Sequence, residues 1–172
     1  NSLSGQWFAY NFPARTGCDL TPDLIATLAA EFPRFAGIKD TVDCQSHTRS
    51  MIQATRAVRE DFAVLSGYDE YYIPNLLAGG AGVISGLNNV MPELFVSARE
   101  AFKQGDLETL REIQQNIGTY MSIYAIGDDF VSTIKTVVSR KFGYCTGVSR
   151  NAGGALNEHE CRTIDEVFGT RE

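Results

Sequence analysis

The chain has 172 residues, 44% hydrophobic and 21% charged, with 16 Gly and only 5 Pro. That balance fits one globular domain and excludes a disordered, collagenous or low-complexity polymer. A net charge of −6 argues against nucleic acid as a partner, because neutralising phosphates needs clustered Lys and Arg.

Short apolar runs of β type alternate with longer segments of helical period. The runs are Trp7-Phe8-Ala9-Tyr10, Phe35-Ala36-Gly37-Ile38, Phe62-Ala63-Val64-Leu65 and Gly82-Val83-Ile84-Ser85, each too short for a helix and of the kind that buried parallel strands require. After the first run, Thr21 is an N-cap candidate with Pro22 in the first turn, opening a helix that carries Leu24, Ile25, Leu28 and Ala29. A second helix is expected from Ser46 to Arg59, with Met51, Ile52, Thr55 and Val58 on one side. A third runs near Tyr71 to Ala78 and stops at Gly79-Gly80. Beyond the fourth run the pattern is helical: Pro92–Gln104, Leu107–Tyr124, Asp129–Phe142 and Asn157–Phe168, with a loop over Gly143–Gly154. The βαβαβαβ order predicts a parallel α/β sheet. A closed (β/α)8 barrel takes about 250 residues, so the pattern leaves two possibilities open, a doubly wound sheet and part of a larger barrel. No linker or internal repeat divides the chain.

Two positions carry chemistry. Lys39, in Gly37-Ile38-Lys39-Asp40-Thr41, closes an apolar strand at the edge where α/β proteins place catalytic groups, and a desolvated lysine amine is a nucleophile for carbonyl carbon. The plain alternative is a strand-end lysine that reaches solvent or pairs with Asp40. Tyr10 closes the first strand, and Tyr10-Asn11-Phe12-Pro13-Ala14-Arg15-Thr16-Gly17 offers a phenol, an amide, a guanidinium and a hydroxyl. A phenol held near reacting atoms relays protons; taken alone, it also fits an interfacial core tyrosine before a turn.

Together these segments resemble the N-acetylneuraminate lyase and dihydrodipicolinate synthase family. The resemblance rests on the Tyr10–Gly17 segment, Gly37-Ile38-Lys39-Asp40, Ser66-Gly67-Tyr68-Asp69-Glu70, and Gly79-Gly80-Ala81-Gly82-Val83-Ile84-Ser85 with Asn89 and Pro92 following. It implies an α/β fold: strands five to eight of a (β/α)8 barrel over residues 1–105, then a C-terminal helical extension over 106–172. It also implies a class I aldolase or lyase acting on a 2-keto acid, with no metal and no organic cofactor. Lys39 matches the Schiff-base lysine and Tyr10 the tyrosine that shuttles a proton in the aldol step. Gly67 and Ile84 match positions lining the pyruvate pocket, and Thr16 the position beside the tyrosine. Homotetramers are implied as well.

Substrate identity divides among branches of that family. Asp69 and Glu70 match residues that bind the polyhydroxyl tail in the sialic acid lyase branch, yet Gly86 stands where that branch tends to carry serine. Arg15 resembles the arginine of the dihydrodipicolinate synthase branch, suited to gripping a second carboxylate. Tyr10-Asn11-Phe12-Pro13 and Phe130-Val131-Ser132-Thr133-Ile134-Lys135 look most like 2-keto-3-deoxy sugar-acid aldolases, the branch preferred here. Absent are the first four βα units, with the loop that holds the pyruvate carboxylate and a tyrosine donated across a subunit interface. Asn1-Ser2-Leu3-Ser4-Gly5 resembles the loop after the family's fourth strand, with the helix before Tyr10 largely missing near Gln6 to Ala9. The chain therefore reads as the C-terminal half of a barrel that needs its N-terminal half. The competing readings are a non-catalytic half-barrel fragment and an open α/β domain whose resemblance is ancestral.

Weaker signals carry less. No apolar run approaches the roughly 20 residues that span a bilayer, and no signal-peptide pattern opens the chain, so no membrane partner is expected. Cys18, Cys44, Cys145 and Cys161 contain no CxxC pair and read as reduced thiols of a cytoplasmic protein. Cys44 and His47 lack a second ligand pair at zinc spacing. His159 and Cys161, and likewise Arg49, Arg56 and Arg59, read as solvated faces. Gly80-Ala81-Gly82 lacks the remainder of a dinucleotide or phosphate loop.

Overall fold

The computed structural model describes residues 4–150 and 154–170. Asn1–Leu3 of the opening segment, and residues 151–153 of the expected loop, lie outside the described residues. The chain forms two compact units, Asn1–Ser85 and Gly86–Glu172, and helix Pro92–Gln104 falls in the second.

The first unit is a four-stranded sheet flanked by helices. In chain order it runs β1 (Trp7–Asn11), α1 (Pro13–Thr16), α2 (Pro22–Glu31), β2 (Phe35–Asp40), α3 (Gln45–Val58), β3 (Ala63–Ser66), a 3-10 turn (Asp69–Tyr71), α4 (Tyr72–Leu77) and β4 (Gly82–Val83). The strands lie in the order β1-β2-β3-β4, all parallel. A doubly wound sheet reverses its order at a switch point. Here each strand is laid beside the one before it, as in a barrel, and the first of the two possibilities falls away.

The helices pack on one face of this sheet through Ile25 and Ala29 of α2 and Met51 and Ile52 of α3. With Phe35, Ile38, Phe62 and Val64 they form the core. Trp7 stacks on Phe35 at 4.1 Å between ring centroids, and Phe62 meets Phe35 edge-on at 4.9 Å. Burying a large apolar side chain stabilises by about 1.5–3 kcal/mol, so this layer fixes the pose of β2. Gly37 is required within it: a Cβ there would stand 2.3 Å from Phe8 Cε1 and 2.4 Å from the Ala63 carbonyl oxygen.

Local signals account for the element ends. Thr21 caps α2 by accepting from the Leu24 amide, with Pro22 as its first residue. The helix expected near Tyr71 to Ala78 is α4, entered through the 3-10 turn Asp69–Tyr71. Buried Asn75 then ties α4 to the sheet, donating to the Val64 carbonyl at 3.3 Å and accepting from the Gly82 amide at 3.1 Å. The fourth strand is shorter than expected, Gly82–Val83.

Three side chains depart from the sequence reading. Arg59 does not belong to a solvated face. Its Nη1 donates to the carbonyls of Ala29, Phe32 and Pro33 and its Nε pairs with Asp61, so it ties the C-terminal end of α2 to that of α3. Val58 and Leu24 are exposed rather than part of the apolar stripes: each lies at a helix end, beyond the arc that faces the sheet.

The second unit is helical: a 3-10 turn (Leu87–Asn89), α5 (Pro92–Gln104), α6 (Leu107–Tyr120), a 3-10 turn (Met121–Ala125), α7 (Phe130–Phe142) and α8 (Glu158–Phe168). The α-helix expected to reach Tyr124 tightens to 3-10 from Met121. Asp106, Asp129 and Asn157 cap the last three helices, and Asn157 with Glu160 forms a reciprocal capping box. His159 is exposed, whereas Cys161 is half-buried. Gly86 lets the Tyr124 hydroxyl approach closely: a Cβ there would stand 2.3 Å from it, so a larger residue would require that side chain to shift. Among the described residues no helix is long and apolar enough to cross a membrane.

Candidate active site

Because all four strands are parallel, their C-terminal ends share one edge of the sheet, and the loops that follow them cluster there. Tyr10 and Lys39 are register partners on β1 and β2. The Lys39 amine lies 4.5 Å from the centroid of the Tyr10 ring. Tyr10 is 53% exposed and Lys39 half-buried, so both lie on a face a small molecule can reach.

Asp40 is oriented away from that face, because successive side chains alternate across a strand. It is 1% exposed, and it accepts from Asn11 Nδ2 at 2.9 Å and from the Thr48 hydroxyl at 2.7 Å, with His47 Nδ1 at 3.0 Å. Among the described residues there is no Lys39–Asp40 ion pair. The plain alternative for Lys39 as Asp40's partner is thereby removed.

Two further contacts close a ring. Asn11 Nδ2 also donates to Asp19 Oδ1 at 2.9 Å, and His47 Nε2 lies 3.2 Å from Asp19 Oδ2. Asn11 Oδ1 accepts from the Leu20 amide at 3.0 Å. Burial, the largest single influence on His47, favours the neutral ring. The hydrogen bond to Asp40 and the charges of Asp40 and Asp19 together exceed it, and the His47 pKa is raised.

Three groups in the segments that follow β2 and β3 are perturbed. The Tyr71 hydroxyl donates to Asp43 at 2.6 Å, and that bond, followed by burial, pushes its pKa to about 12. The exposed Cys44 thiol is lowered by its hydrogen bond with Ser46, 3.1 Å away, and by the His47 amide. Tyr68 is raised, chiefly by burial and then by Asp43 and Glu70.

The remaining candidates occupy the same edge. Arg15 and Thr16 lie on α1, immediately after β1, with the Arg15 guanidinium over the Phe12 ring at 5.4 Å. Thr16 Oγ1 lies 3.1 Å from the Phe12 carbonyl and 3.0 Å from that of Cys18, so the hydroxyl braces its own loop. Gly67 follows β3. Its amide donates to the Asp40 carbonyl at 2.8 Å, and a Cβ would fall 2.0 Å from Thr41 Oγ1. Among the described residues, that buried Thr41 hydroxyl has no hydrogen-bond partner. Asp69 is buried and Glu70 half-buried in the 3-10 turn, and Ile84 is exposed just past β4.

The sequence profile of the dihydrodipicolinate synthetase family matches residues 6–163. The chain belongs to the dihydrodipicolinate synthetase family. Among its relatives in the family, YjhH of Escherichia coli (strain K12), named a probable 2-dehydro-3-deoxy-D-pentonate aldolase, is 41% identical over 126 residues, covering 73% of this chain and 42% of YjhH. The 4-hydroxy-tetrahydrodipicolinate synthase of Methanopyrus kandleri is 43% identical over 108 residues, 63% of this chain and 35% of that protein. The crystal structure of YagE, a prophage protein of the same family from E. coli K12 in complex with pyruvate, superposes with a TM-score of 0.93. It is 32% identical and covers 98% of this chain and 56% of YagE. The chain thus spans about half the length of the family members it matches, and the resemblance to the second half of a barrel with C-terminal helices agrees with this.

The family motifs mark Tyr10 and Lys39 but not the ring behind them. In sequence His47 stands out only beside Cys44, as half of a zinc pair, and Asp19 does not stand out, although Asn11 and Asp40 belong to the motifs themselves. The signal available was that the residue after each strand-end candidate is polar, and alternation turns that residue inward.

Proposed function

We propose that the protein is a Schiff-base aldolase that cleaves or forms a carbon–carbon bond between pyruvate and an aldehyde, acting on a 2-keto-3-deoxy sugar acid. The observation that carries the proposal is the Lys39 amine held 4.5 Å from the Tyr10 ring centroid at the C-terminal ends of two adjacent strands. The Lys39 amine attacks the C2 carbonyl of the keto acid, and loss of water leaves an iminium. Tyr10 takes the proton of the C4 hydroxyl as the C3–C4 bond breaks. The aldehyde departs, and the bonding pair flows into the iminium to give an enamine. Protonation at C3 and hydrolysis release pyruvate and restore the amine. The covalent imine through Lys39 serves where other lyases use a metal or an organic cofactor.

Arg15, with Thr16 bracing its loop, is suited to the substrate's distal end. Gly67 brings backbone close to the pyruvate moiety, Ile84 offers it an apolar wall, and Asp69 and Glu70 border the polyhydroxyl tail. The choice of sugar acid over a dihydrodipicolinate precursor or sialic acid is supported by the name of YjhH. We further propose that four more βα units complete the barrel around this edge, that the protein assembles as a homotetramer, and that it works in the cytoplasm, where its four unpaired cysteines stay reduced.

Intact-mass spectrometry after pyruvate and borohydride tests the reading. One reduced pyruvyl adduct mapped to Lys39, absent in Lys39→Arg, is expected. A folded protein with no adduct, or an adduct on another lysine, would overturn it.

A further inference from the structure

Both ring nitrogens of His47 face carboxylate oxygens, Asp40 Oδ2 at 3.0 Å and Asp19 Oδ2 at 3.2 Å. A carboxylate only accepts, and a neutral imidazole has a single N–H, so only the imidazolium satisfies both contacts. In the neutral ring one lone pair must face a carboxylate. Asp40 is the partner that stays: its side chain is fully buried and has Asn11 and Thr48 as further donors. Asp19 is the partner that leaves, because its side chain is 42% exposed and water can solvate it.

Asp19 ends the loop that begins after Asn11 and carries Arg15 and Thr16. Its other side-chain tie is Asn11 Nδ2, which it shares with Asp40. His47 and Asn11 thus both join this loop to Asp40 on the inward side of β2, one residue from Lys39, and of the two only His47 titrates. The titratable groups facing His47 are Asp40 from β2, Asp19 from the loop and the Cys44 thiol at the start of its own helix.

We propose that His47, acting through Asp19, is a positioning residue: its imidazolium clamps the loop bearing Arg15 and Thr16 over the Tyr10–Lys39 strand ends, and its neutral form releases that loop. The catalytic meaning of the clamp rests on the aldolase reading; the clamp itself does not. In direction, the raised pKa of His47 agrees with an imidazolium in the closed ring.

The test is an NMR pH titration of the full chain with its two histidines, assigned with a His159→Gln variant. The His47 midpoint is expected above the ordinary histidine value, with the amides of Gly17, Cys18 and Asp19 shifting at that same midpoint. In Asp19→Asn the midpoint drops and the loop amides no longer follow it. In His47→Gln the loop amides stay flat across the window, which provides a second reading if Asp19→Asn folds poorly. Loop amides that ignore the His47 titration, or a midpoint unmoved by Asp19→Asn, would overturn the clamp. Pyruvate trapping on Lys39 is measured on the same samples. The ratio of wild-type to His47→Gln trapping rates is expected to be about tenfold at low pH and to approach unity once His47 is neutral; a ratio independent of pH counts against the clamp's role in positioning. Failure to trap pyruvate at any pH would overturn the aldolase reading, while the amide titration still decides whether the loop is clamped.

Discussion

Asn11 and Asp40 are the last register pair of β1 and β2, and their side chains are joined as well, Asn11 Nδ2 donating to Asp40 Oδ1 at 2.9 Å. The preceding pair is Tyr10 and Lys39. Two consecutive pairs therefore divide the work: the outward pair lies on the accessible face, and the inward pair fixes the separation of the strands that carry it.

Removing the hub of the inward pair should be costly. Asp40→Ala leaves the His47 ring, the Asn11 amide and the Thr48 hydroxyl without their shared acceptor in a buried setting. The expected loss is about 3–5 kcal/mol of unfolding free energy, read from urea denaturation. A loss below about 1 kcal/mol would place the ring among ordinary surface pairs.

Stability should also depend on pH through His47. Its folded pKa is raised above the ordinary 6.5, so the folded state holds this proton more tightly than the unfolded chain does. The contribution is therefore fully present below the ordinary value and is lost as pH rises through the folded one. Urea midpoints of the wild type should fall relative to those of His47→Gln across that window. Parallel midpoint curves for the two proteins would contradict the assignment.

Gly37→Ala should destabilise by about 1–3 kcal/mol. The new methyl meets Phe8 Cε1 at 2.3 Å and the Ala63 carbonyl oxygen at 2.4 Å. The ring of Phe8, 50% exposed, can move aside, whereas the Ala63 backbone is held in the β2–β3 ladder. Adding Phe8→Ala should thus recover only part of the loss, as measured by thermal unfolding of the single and double variants.

Tyr10→Phe separates the two steps of the proposed chemistry. The ring against Lys39 is retained and only the hydroxyl is lost. Imine trapping with pyruvate should persist while aldol turnover falls by about 10²–10⁴-fold. Full turnover in this variant would remove Tyr10 from the proton path.

Much of this molecule is written locally. Thr21-Pro22 opens α2, Gly79-Gly80 follows α4, and Pro92 opens α5, because caps, prolines and glycines act within a few residues of themselves. The apolar runs around Phe35 and Val64 are strands for the same reason, and the family motifs carry Tyr10 and Lys39. Pattern alone did not choose between a doubly wound sheet and a barrel segment, since strand order is a non-local property; the parallel order β1-β2-β3-β4 decides it. Nor did spacing reveal that Arg59 gathers the carbonyls at the end of α2, or that Asp19, 28 positions from His47, completes a ring with it. Such contacts depend on where packing brings distant backbone together, and a buried carboxylate takes as partners whatever donors the folded core leaves within reach. Local pattern is enough to write the elements and to mark Tyr10 and Lys39 as candidates. What stands behind that pair is a matter of packing, because the members of the ring around Asp40 come from separate segments, β1, the Asp19 loop and α3, that meet only in the fold.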